Sequence, residues 1–262
     1  MSGILINLMR NLRSELPKIS VITVCYNSDK TILKTIQSYD SQDYPNKEYI
    51  IIDGQSKDNT LKIIHESGIK LEHLISEKDN GIYDAINKGI SLANGDLIGF
   101  LHSDDFFASK NSLTQIAKQY SETKTHGVYG DLEYISSKSS EKIIRKWKSG
   151  KFKKYKFNLG WMPPHPTLYI EKSMYIKYGT YNLDYKIASD YELILRFFWS
   201  NSLELSYIPE TIIKMRMGGA SNKNVKNLVN KTKEDIQAMK NNNLNIFPAI
   251  FLKNILKLGQ FF

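Results

Sequence analysis

The chain has 262 residues, 41% apolar and 24% charged, the make-up of a folded soluble protein with one large domain, or one domain and an appendage. Its net charge of +9 admits nucleic acid, an anionic membrane or phosphorylated substrates as partners. The single cysteine, Cys25, excludes an intramolecular disulfide and fits a reducing compartment.

In chain order, Leu5, Leu8, Met9, Leu12 and Leu16 give residues 1–17 an amphipathic pattern. It is too short to span a membrane and no small-residue cleavage site follows, so a cytoplasmic location is expected. Ile19–Cys25 is a β-branched run that reads as a strand, with Cys25 as a small buried residue. A helix follows from Asp29 to about Gln42, with Ile32, Leu33, Ile36 and Tyr39 at helical spacing. Tyr49–Ile52 is a second strand, Leu61–Ser67 a second helix and Leu71–Ile75 a third strand. Ile82–Ala93 is a helix with Ile82, Ala85, Ile86, Ile90 and Ala93 on one face. Leu97–Leu101 is a fourth strand, apolar throughout as in a parallel sheet buried on both faces. Strands and helices alternating this way predict an α/β fold with right-handed crossovers and a mostly parallel central sheet.

Beyond about residue 110 the pattern changes. Val128–Ile135 and Lys142–Trp147 read as a hairpin or mixed-sheet strands, and 148–166 as a long loop rich in Lys, aromatics and Pro. Thr167–Ile170 and Leu205–Met215 read as strands, and Asp190–Trp199 as a helix. From Val225 the chain is helical and basic. Phe247, Phe251, Ile255, Leu258 and Phe262 form one stripe there, suited to an anionic membrane, to the domain itself or to a dimer partner.

Polar clusters stand where the first four strands leave the sheet: Tyr26-Asn27, Asp53–Ser56, Glu77–Asn80 and Asp104-Asp105. Ligands of open α/β sheets bind outside the carboxyl ends of the strands. Adjacent carboxylates repel unless a cation or strong donor lies beside them, so Asp104-Asp105 points to a divalent metal holding a phosphorylated ligand. Asp29 and Asp58 read as helix N-caps, and Asp53-Gly54 also suits a plain turn. The Cys25–Asp29 turn has no glycine, which fails the dinucleotide-binding pattern, and no GxxxxGK[ST] phosphate loop occurs.

In combination, Ser20–Asn27, Ile51–Thr60, Glu77–Gly89 and Gly95–Asp105 resemble the family 2 glycosyltransferases of the GT-A fold, especially bacterial enzymes that build surface polysaccharides. Weaker matches follow at Ser189–Glu192 with Arg196 and at Gly218–Ser221. The resemblance covers residues 18–222. It implies a GT-A domain with helices on both faces of the sheet, a nucleotide-sugar-binding half (18–110), and an acceptor-binding half (111–222) with a smaller antiparallel part. Residues 1–17 are then an extension and 223–262 a basic amphipathic tail.

The same resemblance implies metal-dependent, inverting transfer of a sugar from a nucleotide-sugar, foremost a UDP-sugar, to a hydroxyl of a growing lipid-linked surface glycan. Asp53 would accept from the nucleobase, and Tyr26 and Asn27 would frame base and ribose. Asp79, Asn80 and Gly81 would line the nucleotide-sugar pocket, with Lys88 near a phosphate. Asp105 is the expected main ligand of Mn²⁺ or Mg²⁺, with Asp104 towards the ribose or behind the metal. His102 holds the first place of the DXD-type motif, a departure from the family. Asp190 matches the catalytic base, the favoured reading, and its location also suits an N-cap or first-turn acid, with Glu192 as its local competitor. Trp161 and His165 are candidate acceptor or phosphate contacts, and Arg216 is a candidate to close over the diphosphate. Lys148, Lys151, Lys153, Lys154 and Lys156 read as a solvated basic face.

Two other classes stay open. Charge alone suggests a nucleic-acid-binding protein, which predicts steeply salt-dependent binding. An inactive nucleotide-sugar-binding or assembly subunit predicts UDP binding without transfer. A nucleotidyltransferase would need a glycine-rich first loop, missing here. The expected partners are the donor, a glycan or lipid-linked glycan acceptor and peripheral anionic membrane, with no nucleic acid; a homodimer is compatible.

Overall fold

The structure, a computed structural model, describes residues 16–123, 125–136, 142–217 and 225–250. The Gly218–Ser221 motif, the C-terminal stripe beyond residue 250 and the N-terminal pattern before Leu16 lie outside the described residues.

Among the described residues nine strands form one sheet: β1 (Ile19–Cys25), β2 (Lys47–Asp53), β3 (His73–Ser76), β4 (Leu97–Phe100), β5 (Phe106–Phe107), β6 (Gly127–Ile135), β7 (Ile143–Trp147), β8 (Tyr169–Glu171) and β9 (Leu205–Arg216). Their spatial order is β3-β2-β1-β4-β8-β6-β9-β5, with β7 beside β6. Strands β1 to β4 are mutually parallel, and β6 pairs parallel with β9. Strand β8 runs antiparallel to both β4 and β6 and joins the two halves, while β5 and β7 are antiparallel additions.

The helices are α1 (Ile32–Asp40), α2 (Thr60–Glu66), α3 (Ile82–Leu92), α4 (Ser112–Thr123), α5 (Lys172–Tyr178), α6 (Ser189–Ile194) and α7 (Val225–Asn241). The unbroken apolar runs of β1 and β2 follow from cover on both faces. Ile22, Val24, Ile50 and Ile52 pack with Ile86 and Ile90 of α3, and Ile19, Val21 and Ile51 pack on the other face with Ile32 and Ile36 of α1. Where β8 crosses β4, a Cβ on Gly99 would stand 2.1 Å from the Tyr169 ring, so only glycine fits.

Several local expectations change. The third strand starts at His73, not Leu71, and α4, α5 and β5 are additional. The N-caps of α1 and α2 are Thr31 and Asn59 in place of Asp29 and Asp58. Asp58 instead accepts from Thr60 N–H at 3.0 Å, Thr60 Oγ1 at 2.6 Å and Asp29 N–H at 3.1 Å, tying together the loops after β1 and β2. The helix expected over 190–199 is α6 followed by a wider π-type segment, Leu195–Ser200, in which Leu195, Phe197 and Phe198 are all buried.

Candidate active site

The register sets three strand ends side by side: Cys25 lies opposite Asp53, and Asp53 opposite Ser76. Asp53 is 0% exposed. Its oxygens accept from Ser56 N–H at 2.9 Å, Ser56 Oγ at 2.5 Å, Ser76 Oγ at 2.7 Å and Cys25 Sγ at 3.6 Å. A carboxylate offers about four acceptor positions, so donors within the chain use them all. Asp53 therefore orders the turn that follows it, at the strand end expected to meet the nucleobase. Burial, and the Asp53 charge after it, push the Cys25 thiol up, which keeps it a protonated donor.

Asn27 and Gln55 both adopt the left-handed conformation, at φ 48° and 62°. The two turns interlock: Asn27 N–H donates to Ser56 Oγ at 2.8 Å, and Asn27 Oδ1 accepts from Lys57 N–H at 2.9 Å. This leaves the Tyr26 ring 61% exposed. A Cβ added at Gly54 would lie 3.1 Å from Asp79 Oδ2 and 3.5 Å from the Tyr26 ring, so these three residues border one narrow gap. Gly81, at φ 125°, makes the bend that opens α3, and Asn80 N–H donates to Asp84 Oδ2 at 2.9 Å.

Lys88 does not stand free for a phosphate. Its ammonium is 2.6 Å from Asp79, 2.7 Å from Glu77 and 3.8 Å from Asp84, and the hydrogen bonds to Asp79 and Glu77 raise its pKa. Three carboxylates surround it, and its ammonium bridges Asp79 and Glu77.

After β4 the two adjacent acids separate. Asp105 is fully buried: Oδ1 accepts the Arg216 backbone N–H at 3.2 Å, and Oδ2 is buried with no partner among the described residues. Burial first and the Asp104 charge second raise its carboxyl well above the usual range. Asp104 is partly exposed. The expectation that Asp105 is the main metal ligand meets this burial, and the accessible carboxylate is Asp104. Among the described residues no three His, Cys, Asp or Glu side chains converge on a cation position. One or two carboxylates completed by ligand phosphate oxygens is the way Mg²⁺ is usually bound, so this donor set fits. Arg216 bears on Asp105 by its backbone; its Nε is buried without a partner among the described residues, and its guanidinium lies 5.9 Å from the Phe106 ring centroid.

His102 is the junction of the site. Burial lowers its pKa, and the charges of Asp104 and Asp190 oppose that lowering. The charges of the motif after β4 and of the first turn of α6 thus both bear on one imidazole. His165 neighbours it, with ring centroids 5.7 Å apart, stacks on Phe100 and shares a 2.9 Å hydrogen bond with Tyr181 Oη. Asp190 Oδ1 is 3.5 Å from Tyr83 Oη. Glu192 is buried, held at 2.9 Å and 3.0 Å by the Arg196 guanidinium, which also bonds the carbonyls of Tyr178, Gly179 and Thr180. The structure thereby uses Glu192 as a brace and leaves Asp190 as the available acid. Trp161 is committed elsewhere: Nε1 donates to the Ser149 carbonyl at 2.8 Å, and the ring packs among Tyr129, Phe152 and Phe157.

Tyr83 and Tyr181 escaped the sequence reading. Tyr83 lies inside the Glu77–Gly89 motif and could have been found there; Tyr181 carries no local signal.

Residues 20–177 match Glycosyl transferase family 2. The chain belongs to this family. It is a glycosyltransferase with the GT-A fold, and the match ends before Asp190. An uncharacterized glycosyltransferase of Mycobacterium tuberculosis is 34% identical over 182 residues, 69% of this chain and 68% of that one. A PGL/p-HBAD biosynthesis glycosyltransferase of Mycobacterium bovis is 28% identical over 211 residues, 79% and 80% of the two chains. The UDP-Glc:alpha-D-GlcNAc-diphosphoundecaprenol beta-1,3-glucosyltransferase of Escherichia coli is 32% identical over 122 residues, 46% of this chain and 48% of that one. Among solved structures, TarS of S. aureus in complex with UDP-GlcNAc has a TM-score of 0.66 at 18% identity, covering 89% of this chain and 69% of that one. The mannosyltransferase of Pyrobaculum calidifontis, in complex with GDP-Man and Mn²⁺, has a TM-score of 0.67 at 14% identity, covering 94% and 71%.

Proposed function

We propose that the protein transfers a sugar, with inversion, from a UDP-sugar to a hydroxyl of a growing lipid-linked surface glycan. The observation that supports this is that the charges of Asp104 and Asp190 both bear on His102, with Asp190 Oδ1 3.5 Å from Tyr83 Oη. One carboxylate lies at the strand end where a diphosphate binds, and the other is available for the acceptor. Tyr26, Asn27, Gly54 and Asp79 would frame the nucleotide from the neighbouring strand ends, with Asn80 and Gly81 at the rim. Asp190 takes the proton from the acceptor hydroxyl as its oxygen attacks the anomeric carbon, and the nucleoside diphosphate leaves from the opposite face. Asp104, with the unpartnered Asp105 oxygen behind it, would hold Mn²⁺ or Mg²⁺. When bound, such a cation neutralises charge gathering on the departing diphosphate.

The choice of UDP and of a lipid diphosphate acceptor rests on the E. coli relative's name and on the UDP-GlcNAc bound to TarS. No described helix is long and apolar enough to cross a membrane. Phe247, 86% exposed at the start of the C-terminal segment, supports peripheral contact with an anionic membrane as the way the enzyme meets its acceptor.

The test is UDP release from UDP-Glc and UDP-GlcNAc with GlcNAc-diphosphoundecaprenol as acceptor, with and without Mn²⁺. Asp190→Asn should lower kcat by about 10²–10⁴ while UDP still binds, and Glu192→Gln should keep kcat. Asp104→Asn should abolish the Mn²⁺ dependence of UDP binding. An Asp190→Asn enzyme with undiminished kcat overturns the base assignment, and absence of turnover with every pair overturns the donor and acceptor assignment.

A further inference from the structure

Helix α7 reaches the site through Glu234. Glu234, on α7, accepts from three consecutive backbone amides: Oε1 from Lys186 N–H at 3.0 Å, and Oε2 from Ile187 and Ala188 N–H at 2.8 Å each. Ala188 is the residue before α6, and Asp190 is the second residue of that helix. The Ile187 peptide is gripped on its other side as well, because Tyr83 Oη donates to its carbonyl at 2.7 Å. Ser189 Oγ donates to the Asn182 carbonyl at 2.8 Å. Among the described residues the Asp190 carboxylate accepts only the long 3.5 Å approach of Tyr83 Oη, so the backbone of 186–189 largely sets where that carboxylate stands.

Bonds from neutral amides to a charged carboxylate are about twice as strong as neutral pairs. Three on one turn make Glu234 its principal anchor. The rest of the contact is consistent with docking for this purpose: Ala238 and Met239 of α7 are buried, and Asn241 Nδ2 donates to Tyr185 Oη at 3.0 Å. Glu234 also borders an open cleft of about 420 Å³ shared with Asn182, Asp184, Lys233 and Gln237. Trimming its side chain therefore enlarges a solvent-filled space, with no void opened in the core.

We propose that Glu234 is a positioning residue for transfer, fixing the 186–188 turn so that Asp190 meets the acceptor hydroxyl. The proposal rests on Asp190 being the base. With UDP-Glc and GlcNAc-diphosphoundecaprenol, Glu234→Ala should lower kcat about 10–100-fold, the scale set by a displacement of about 1 Å, while KM for UDP-Glc stays within about twofold. Glu234→Gln, which keeps an acceptor oxygen at the same reach, should recover most of the rate; Glu234→Asp, one methylene short, should not. In an Asp190→Asn background, Glu234→Ala should cost nothing further, because residues acting as a unit are not additive. An unchanged kcat in folded Glu234→Ala overturns the proposal, and if that variant does not fold, an unchanged kcat in Glu234→Asp does so. Full activity of Asp190→Asn would instead overturn the assignment of the base, an outcome separate from an inactive Asp190→Asn beside a fully active Glu234→Ala.

Discussion

Acidification from pH 7 to pH 5 should weaken the folded state measurably through His165. Its imidazole stacks on Phe100 and bonds Tyr181 Oη. Burial lowers its pKa from 6.5 to about 4, against the pull of the Asp190 charge and with a smaller push from His102. The folded state therefore holds His165 neutral where the unfolded chain takes up a proton. Stability from this group is complete above pH 6.5 and is lost as pH falls towards 4. Linkage between those two values gives a loss of about 2 kcal/mol by pH 5, or about 4–8 °C in Tm for a chain of this size. His102, also lowered by burial, adds to the total, so the decisive quantity is a difference. Calorimetric scans of the native protein and of His165→Asn at both pH values should show the variant losing about 4–8 °C less. Equal losses in the two proteins would refute the account of a buried neutral imidazole.

Three further outcomes follow from contacts in the same region. Arg196→Ala strips the buried Glu192 of its counter-ion and frees three carbonyls, which should cost about 3–5 kcal/mol in urea unfolding with the m-value unchanged. Gly99→Ala drives a methyl to within 2.1 Å of the Tyr169 ring and should cost at least about 1–3 kcal/mol, read as a lower Tm. Gly54→Ala places its methyl 3.1 Å from Asp79 Oδ2; with no strained φ to oppose it, Tm should hardly move while titration calorimetry shows UDP binding weakened roughly tenfold, about 1.4 kcal/mol.

The N-terminal half was readable because a strand buried on both faces is an apolar run with polar residues only at its ends. Ile19–Cys25 matches β1 residue for residue. In the other half, α4 carried a signal that went unread: Leu113, Ile116 and Ala117 are buried and Tyr120 packs beside them, at helical spacing. Helix α5 had almost none, since Tyr175 is its one buried residue. For the site, sequence placed the acids on the correct sheet edge, but their partners depend on chain crossings that no local pattern reports. Asp53 is filled by Ser76 from the neighbouring strand, and Lys88 is surrounded by Asp79 and Glu77 as well as by the helical neighbour Asp84. Trp161 looked available on a loop, yet its indole N–H is taken by Ser149.

The adjacent acids after β4 show why a motif fixes a location before it fixes a role. Ser103 and Asp104 form a turn closed by the Asp105 N–H on the His102 carbonyl, and the two successive carboxylates leave it in different settings, Asp105 buried and Asp104 partly exposed. Asp105 is the inward one, and three bonds define it. Its N–H donates to the His102 carbonyl at 2.9 Å, its carbonyl accepts Thr35 Oγ1 at 2.8 Å, and its Oδ1 accepts Arg216 N–H at 3.2 Å. Thr35 belongs to α1, and the next residue, Phe106, pairs with Lys214 of β9. The buried acid thus pins the loop to one element from each half of the fold, and that fixes the direction left to Asp104. The donor on its carboxylate is a backbone amide, Arg216 N–H, and its other oxygen is buried without a partner among the described residues. The pair thus divides: the inner carboxylate is tied to β9 through Arg216 N–H, and the outer one is partly exposed.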